Sequence, residues 1–213
     1  MIILGLTGSI GMGKSTVAEM FETQDVPVWD ADAVVHSLYE YNEEVYQTIR
    51  RHWPDVCRNA CVNRDALAEI VFNDPAALDT LTRMFGRHID IALATFVSTL
   101  RWLATPPPLI VLDIPLLFEN RHLVRQCDYV AVVDCPRGEQ ERRVLARPGM
   151  TKDAFEARLA RQIPNEEKVK NADIVIDTSA PMLDVRTRVD DIIGNISDDD
   201  WIIRHRQTKR AGH

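Results

Sequence analysis

Residues 8 to 15 read Gly8-Ser9-Ile10-Gly11-Met12-Gly13-Lys14-Ser15: a glycine, four residues, then Gly-Lys-Ser. They follow the apolar run Ile2 to Thr7 and precede Thr16-Val17-Ala18-Glu19-Met20-Phe21, which has helical spacing. Strand, glycine-rich loop and helix in that order make a phosphate-binding loop. Glycine opens backbone conformations closed to other residues, so successive N–H groups can converge on one anion. The helix starting near Lys14 adds the positive end of its dipole. Lys14 is long enough to reach the β- and γ-phosphates, and the Ser15 hydroxyl is a ligand for Mg²⁺. The pattern predicts binding of a nucleoside triphosphate.

A chain of 213 residues makes one large domain, or a core with inserted pieces. Its net charge of −7 argues against general nucleic-acid binding, which calls for a basic surplus. Cys57, Cys61, Cys127 and Cys135 lack paired C-x-x-C spacing, and no histidine spacing completes a zinc site, so free thiols in a reducing compartment are expected. No uncharged apolar stretch approaches the ~20 residues that span a bilayer. Residues 1–7 lack a cationic start and run straight into the phosphate loop, as a strand does and a signal peptide does not. The expectation is a cytoplasmic protein without a membrane partner.

A short strand, Gln24-Asp25-Val26-Pro27-Val28-Trp29, entered through its proline, ends at Asp30-Ala31-Asp32, and helical spacing resumes from Ala33. Carboxylates at this edge sit where open α/β sheets place ligands. Asp30 is equally a good helix N-cap, and Asp32 in the first turn suits the helix dipole, so the sequence leaves both readings open. Residues 42–104 show almost no strand alternation, and helices are expected over Glu43–His52, Arg64–Phe72 and Asp74 to about Leu103. Such a block between strands suits a substrate-binding insertion, in which Arg64, Arg83, Arg87 and His88 are the residues to meet an anion.

Leu109-Ile110-Val111-Leu112-Asp113 is a continuous apolar run ending in an acid, the form of a buried parallel strand whose terminal carboxylate holds Mg²⁺. The apolar segment Ile114 to Glu119 follows at the ligand edge, suited either to wall a substrate pocket or to pack as core. Tyr129 to Asp134 is the next buried strand. Helices over Glu139–Ala146 and from Met150 to about Gln162-Ile163 form a hairpin bearing Arg142, Arg143, Arg147, Arg158 and Arg161, expected as an arginine lid. A final strand covers Ile174 to Asp177 and a closing helix Val185 to Ile193. The expected fold is α/β: a parallel five-stranded sheet flanked by helices. Residues 1–41, 105–137 and 171–196 would form the nucleotide-binding core, 42–104 the helical insertion, 138–170 the lid and 197–213 a mobile tail.

Four pieces together resemble the dephospho-coenzyme A kinase family of P-loop kinases: Gly8–Ser15, Asp30-Ala31-Asp32, Asp113-Ile114-Pro115-Leu116-Leu117-Phe118-Glu119, and Gln162 with Pro164, Lys168, Ala172 and Asp173. The resemblance covers roughly residues 1–195. It implies ATP-dependent phosphorylation of the ribose 3′-hydroxyl of dephospho-CoA, giving coenzyme A and ADP. It also implies ATP bound by Gly8, Ser9, Gly11, Met12, Gly13, Lys14, Ser15, Thr16, Arg143 and Arg147, with Lys14 and Asp32 catalytic. Asp32, Arg64, His88, Pro115 and Leu116 would meet the substrate, with Ser15 and Asp113 holding Mg²⁺, in a monomer or weak homo-oligomer. Where the family commonly has His-Pro, this chain has Phe85-Gly86-Arg87-His88-Ile89, which leaves the pantetheine and nucleotide contacts there unassigned. A nucleoside or nucleoside-monophosphate kinase shares the loop, insertion and lid and is the alternative. A nucleotide-switched regulator fits less well, since no guanine-reading Asn-Lys-x-Asp motif occurs.

Overall fold

A computed structural model describes residues 1–59, 61–198 and 200–203. Its elements run β1 (Ile2–Thr7), α1 (Lys14–Glu22), β2 (Val28–Asp30), α2 (Ala31–Tyr41) and α3 (Glu43–His52). A 3₁₀ turn (Pro54–Val56) leads to β3 (Cys57–Arg58), β4 (Cys61–Val62), α4 (Arg64–Asn73) and α5 (Pro75–Arg101). Then come β5 (Leu109–Asp113), α6 (Arg121–Val124), β6 (Tyr129–Asp134), α7 (Arg137–Leu145), α8 (Lys152–Leu159), α9 (Asn165–Asn171), β7 (Ile174–Asp177) and α10 (Met182–Asn195). The chain divides into two compact units: Met1–Trp29 with Ala104 onward, and Asp30–Leu103.

The first unit is built on a five-stranded sheet in the order β2-β5-β1-β6-β7. β1 runs parallel to both β5 and β6, and β6 to β7, in registers that include Leu6 opposite Asp113 and Thr7 opposite Val132. Parallel strands covered on both faces must be apolar throughout, and every residue of β5 is buried. Leu4, Leu6, Val111, Val133 and Ile176 pack with Val17 and Phe21 of α1 and Val185 and Val189 of α10 in one core. Two aspartates extend the ladders from outside the strands. Asp128 Oδ2 accepts the Ile3 N–H at 2.8 Å, and Asp173 Oδ2 accepts the Val130 N–H at 2.8 Å. Asp173 therefore has a structural role.

The second unit closes helices α2 to α5 around Leu38, Val45, Ile49, Val56, Leu67, Leu81 and Phe85. The only strand pairing described inside it is the hairpin β3–β4, two residues on each side, with Asn59 at φ 51.

Two local expectations change, and one short helix is added. The second helix of the arginine hairpin stops at Leu159, and a separate helix, α9, begins after Pro164. Proline lacks an N–H and disfavours helix in the residue before it, so it separates the two. The short α6, capped by Asn120, has too few residues to show a period. Residues 200–203 are helical, and Trp201 and Ile202 are buried in the sheet core, so this part of the expected mobile tail is packed. The rest of that tail, 204–213, lies outside the described residues.

Candidate active site

The phosphate loop joins β1 to α1 at the sheet's C-terminal edge. Gly11 (φ +82) and Gly13 (φ +87) take the left-handed conformation that favours glycine. A Cβ on Gly11 would also lie 2.4 Å from Val144 Cγ2 and 3.1 Å from the Gln140 carbonyl oxygen. Gly11→Ala is therefore expected to destabilise the fold by about 1–3 kcal/mol. Urea unfolding measures this, and an unchanged midpoint would contradict the strain. Gly13 caps α1 without any side-chain hydrogen bond, and no acid sits in the first turn. The first N–H groups of a helix have no partner within it, so this end suits an anion.

Neighbouring elements hold the loop from behind. The Ser9 hydroxyl donates to Asn165 Oδ1 (3.0 Å), and the Ile10 N–H donates to Gln162 Oε1 (3.3 Å). Buried Gln140 donates from Nε2 to the Ile10 carbonyl (2.7 Å). The Thr178 hydroxyl donates to the Met12 carbonyl (2.7 Å).

Four of the five sheet strands end in aspartate, and their surroundings separate them. Asp30 Oδ1 accepts the N–H groups of Asp32 (2.8 Å) and Ala33 (3.0 Å), which is the N-cap role the sequence allowed. Asp134 Oδ1 accepts from Asn165 Nδ2 (2.6 Å). Asp177 Oδ1 accepts from the N–H and hydroxyl of Ser179. Asp113, 5% exposed, forms an ion pair with Lys14 Nζ. The lysine of the loop and the acid of β5 thus meet directly.

Arg143 is fixed by Glu139 and Thr178. Its Nε donates to Glu139 Oε1 (2.7 Å), Nη1 to the Thr178 hydroxyl (3.0 Å) and Nη2 to the Thr178 carbonyl (2.8 Å). Hydrogen bonds from Arg142 and then Arg143 hold the Glu139 carboxyl down to about 2 against some desolvation. The pair's stabilisation is therefore complete above the ordinary carboxylate range and is lost as pH falls toward that value. Arg143 and exposed Arg147 line a cavity of about 310 Å³ with Gly11, Gly13, Thr16, Val17, Thr178, Ala180, Met182 and Val185. Thr178, Ala180 and Met182 carry no sequence signal, since they become neighbours of the loop only when β7 lies beside β6.

In the turn after β5, the Pro115 carbonyl accepts from the buried Thr7 hydroxyl (3.0 Å), and Leu116 is 46% exposed. An exposed leucine in the turn after a buried strand offers apolar surface. In the helical unit, Asp32 is exposed in the first turn of α2. The Arg64 guanidinium lies 5.6 Å from the Tyr39 ring centroid. His88, with its side chain 12% exposed, has Nε2 at 3.9 Å from Glu44 Oε2, an ion pair only when the imidazole is protonated. Among the described residues, no group of three or more His, Cys, Asp or Glu side chains is placed to hold a metal.

A parallel sheet, an uncapped helix behind a Gly-Lys-Ser loop, and an acid at the end of the neighbouring strand define a P-loop nucleoside-triphosphate-binding protein. A family model described as dephospho-CoA kinase matches residues 2–184. The dephospho-CoA kinase of Paramagnetospirillum magneticum is 47% identical over 168 residues, covering 79% of this chain and 78% of its own. A crystal structure from Thermus thermophilus superposes with TM-score 0.79 at 33% identity, over 92% of this chain and 97% of its own. The dephospho-CoA kinase from Campylobacter jejuni gives 0.68 at 26% identity, over 93% and 98%. The chain belongs to the dephospho-CoA kinase family. It is an enzyme whose reaction is the ATP-dependent phosphorylation of dephospho-CoA to coenzyme A, and the nucleoside kinase reading is not favoured.

Proposed function

We propose that the γ-phosphoryl group of ATP passes in line to the ribose 3′-hydroxyl of dephospho-CoA, with Asp32 aiming the hydroxyl and Lys14 gripping the triphosphate. The observation that carries this is the uncapped first turn of α1, beside which Lys14, Arg143 and Arg147 bring three cations to one loop. The transition state of phosphoryl transfer is loose, so catalysis rests on positioning and on neutralising charge. The amides from Gly11 to Thr16 with Lys14 hold the β- and γ-phosphates. Arg143, already braced by Glu139 and Thr178, offers a preorganised charge toward the cavity, and Arg147 adds a second. The cavity between Thr16, Thr178 and Met182 is the place for the nucleoside end of ATP, flanked by apolar Val17, Ala180 and Val185. Asp32 hydrogen-bonds the acceptor hydroxyl and takes its proton late. In this reading the uncharged part of the acceptor is assigned to Pro115 and Leu116, and its anionic part to Arg64 and His88.

The Asp113 carboxylate and Ser15 hydroxyl suit Mg²⁺. Both are hard oxygen donors, few enough to leave positions for water and phosphate, and the Lys14 contact shows that Asp113 faces the phosphate loop. When bound there, the ion neutralises charge on the phosphate oxygens. A cytoplasmic enzyme, monomeric or weakly associated, is part of this reading, in keeping with the net charge of −7 and the free cysteines; no described helix is long and apolar enough to cross a membrane. EDTA is expected to stop coenzyme A formation and added Mg²⁺ to restore it. Asp113→Asn should raise the Mg²⁺ concentration for half-maximal rate at least ~10-fold, the scale for losing one oxygen ligand's support. An unchanged Mg²⁺ requirement would remove Asp113 from the metal site.

A further inference from the structure

Lys168 is the fully buried lysine of α9, at 0% exposure. Its ammonium lies 3.1 Å from Glu119 Oε1, at ion-pair distance but without hydrogen-bond alignment to any described atom. The same Glu119 oxygen accepts the Ile163 N–H at 2.9 Å. Burying an ammonium is unfavourable, and an apolar pair of similar size would often stabilise the site as well or better. Stability is thus a poor reason for this pair, whereas fixing an arrangement is the best-attested use of such groups.

The segment it anchors is placed to transmit position. Residues 162–168 directly follow the arginine hairpin. Gln162 accepts from the Ile10 N–H of the phosphate loop, and Asn165 bridges the Ser9 hydroxyl to the Asp134 carboxylate. Ile163 and Lys168 hold Glu119, the last residue of the turn that begins at Pro115. One short stretch therefore touches both the loop that grips triphosphate and the turn assigned above to the acceptor. We infer that Lys168 and Glu119 are positioning residues that couple the two substrate sites, so that occupancy of the acceptor turn favours the ATP-competent arrangement of the loop and hairpin. This rests on the roles proposed above for Pro115, Leu116 and the two arginines.

Coupling of this kind is reciprocal and typically changes affinity about 5–150-fold. The test is the Kd of a non-hydrolysable ATP analogue, measured calorimetrically with and without saturating dephospho-CoA. The native chain should bind the analogue at least ~5-fold tighter with dephospho-CoA present. In Glu119→Leu/Lys168→Met, which removes both charges together, each ligand should still bind alone while the ratio falls to about 1. A purely structural pair would shift the unfolding midpoint and leave that ratio unchanged. A second readout needs no variant: dephospho-CoA alone should slow amide exchange across residues 162–168 of the native chain. A native-like ratio in the folded double variant, or unchanged exchange in 162–168, overturns the inference. A native chain that makes coenzyme A normally but shows no coupling also overturns it, leaving the proposed chemistry intact. A native chain that fails to bind dephospho-CoA would instead sink the proposed acceptor site.

Discussion

Lys14→Ala is expected to lower kcat by about 10²–10³-fold, the scale for removing one preorganised group that stabilises transition-state charge. The lysine stands at the first residue of α1, next to a turn that no side chain caps, with its ammonium against Asp113. The cavity lined by Gly11 and Gly13 carries Arg143 and Arg147 but no lysine, and three hydrogen bonds to Glu139 and Thr178 hold Arg143 in place, so neither arginine is set to take over the position of the Lys14 ammonium. Substitution also leaves the Asp113 carboxylate, 5% exposed, without its cation, so the unfolding midpoint should fall as well. Rates must therefore be compared at a temperature where circular dichroism shows the variant folded. Near-native turnover by the folded variant would mean that the loop serves structure alone.

Asp32→Asn should lower kcat by about 10²-fold or more, the usual scale for a positioned acid or base, with ATP affinity nearly intact. Asparagine keeps the shape and still forms hydrogen bonds, but it cannot take the hydroxyl proton. Asp30 provides the contrast, because its carboxylate is occupied by the Asp32 and Ala33 N–H groups. Asp30→Ala should lose about 1 kcal/mol of stability as an N-cap loss. Single-turnover rates with urea midpoints separate the two aspartates. If Asp32→Asn turned over normally, Asp32 would have no part in the chemistry.

These two residues also show how unevenly function is written in the sequence. The phosphate loop is legible because glycine spacing, a lysine and a hydroxyl are local requirements, each met within eight positions. Strands β1, β5 and β6 are legible because burial on both faces demands unbroken apolar runs. Asp30 and Asp32 were ambiguous from spacing, and only the hydrogen bonds of α2 gave Asp30 its capping role. Thr178, Gln140 and Asn165 grip the loop across 130 to 166 positions of chain, a separation that no periodicity encodes. The start of α9 was readable in principle. Pro164 precedes it, Glu166 and Glu167 fill its first turn, and Lys168 and Lys170 its last. The burial of Lys168 was not readable, since lysine in a short polar helix is ordinarily solvated.

The most direct measurement follows ATP consumption with dephospho-CoA present and absent and locates the new phosphate on the product by ³¹P NMR. The predicted result is one ADP formed for each coenzyme A, the added phosphomonoester on the ribose 3′-oxygen, and little ATP turnover without acceptor. ATP hydrolysis at the same rate with or without dephospho-CoA, or phosphate placed on a different oxygen, would contradict the account.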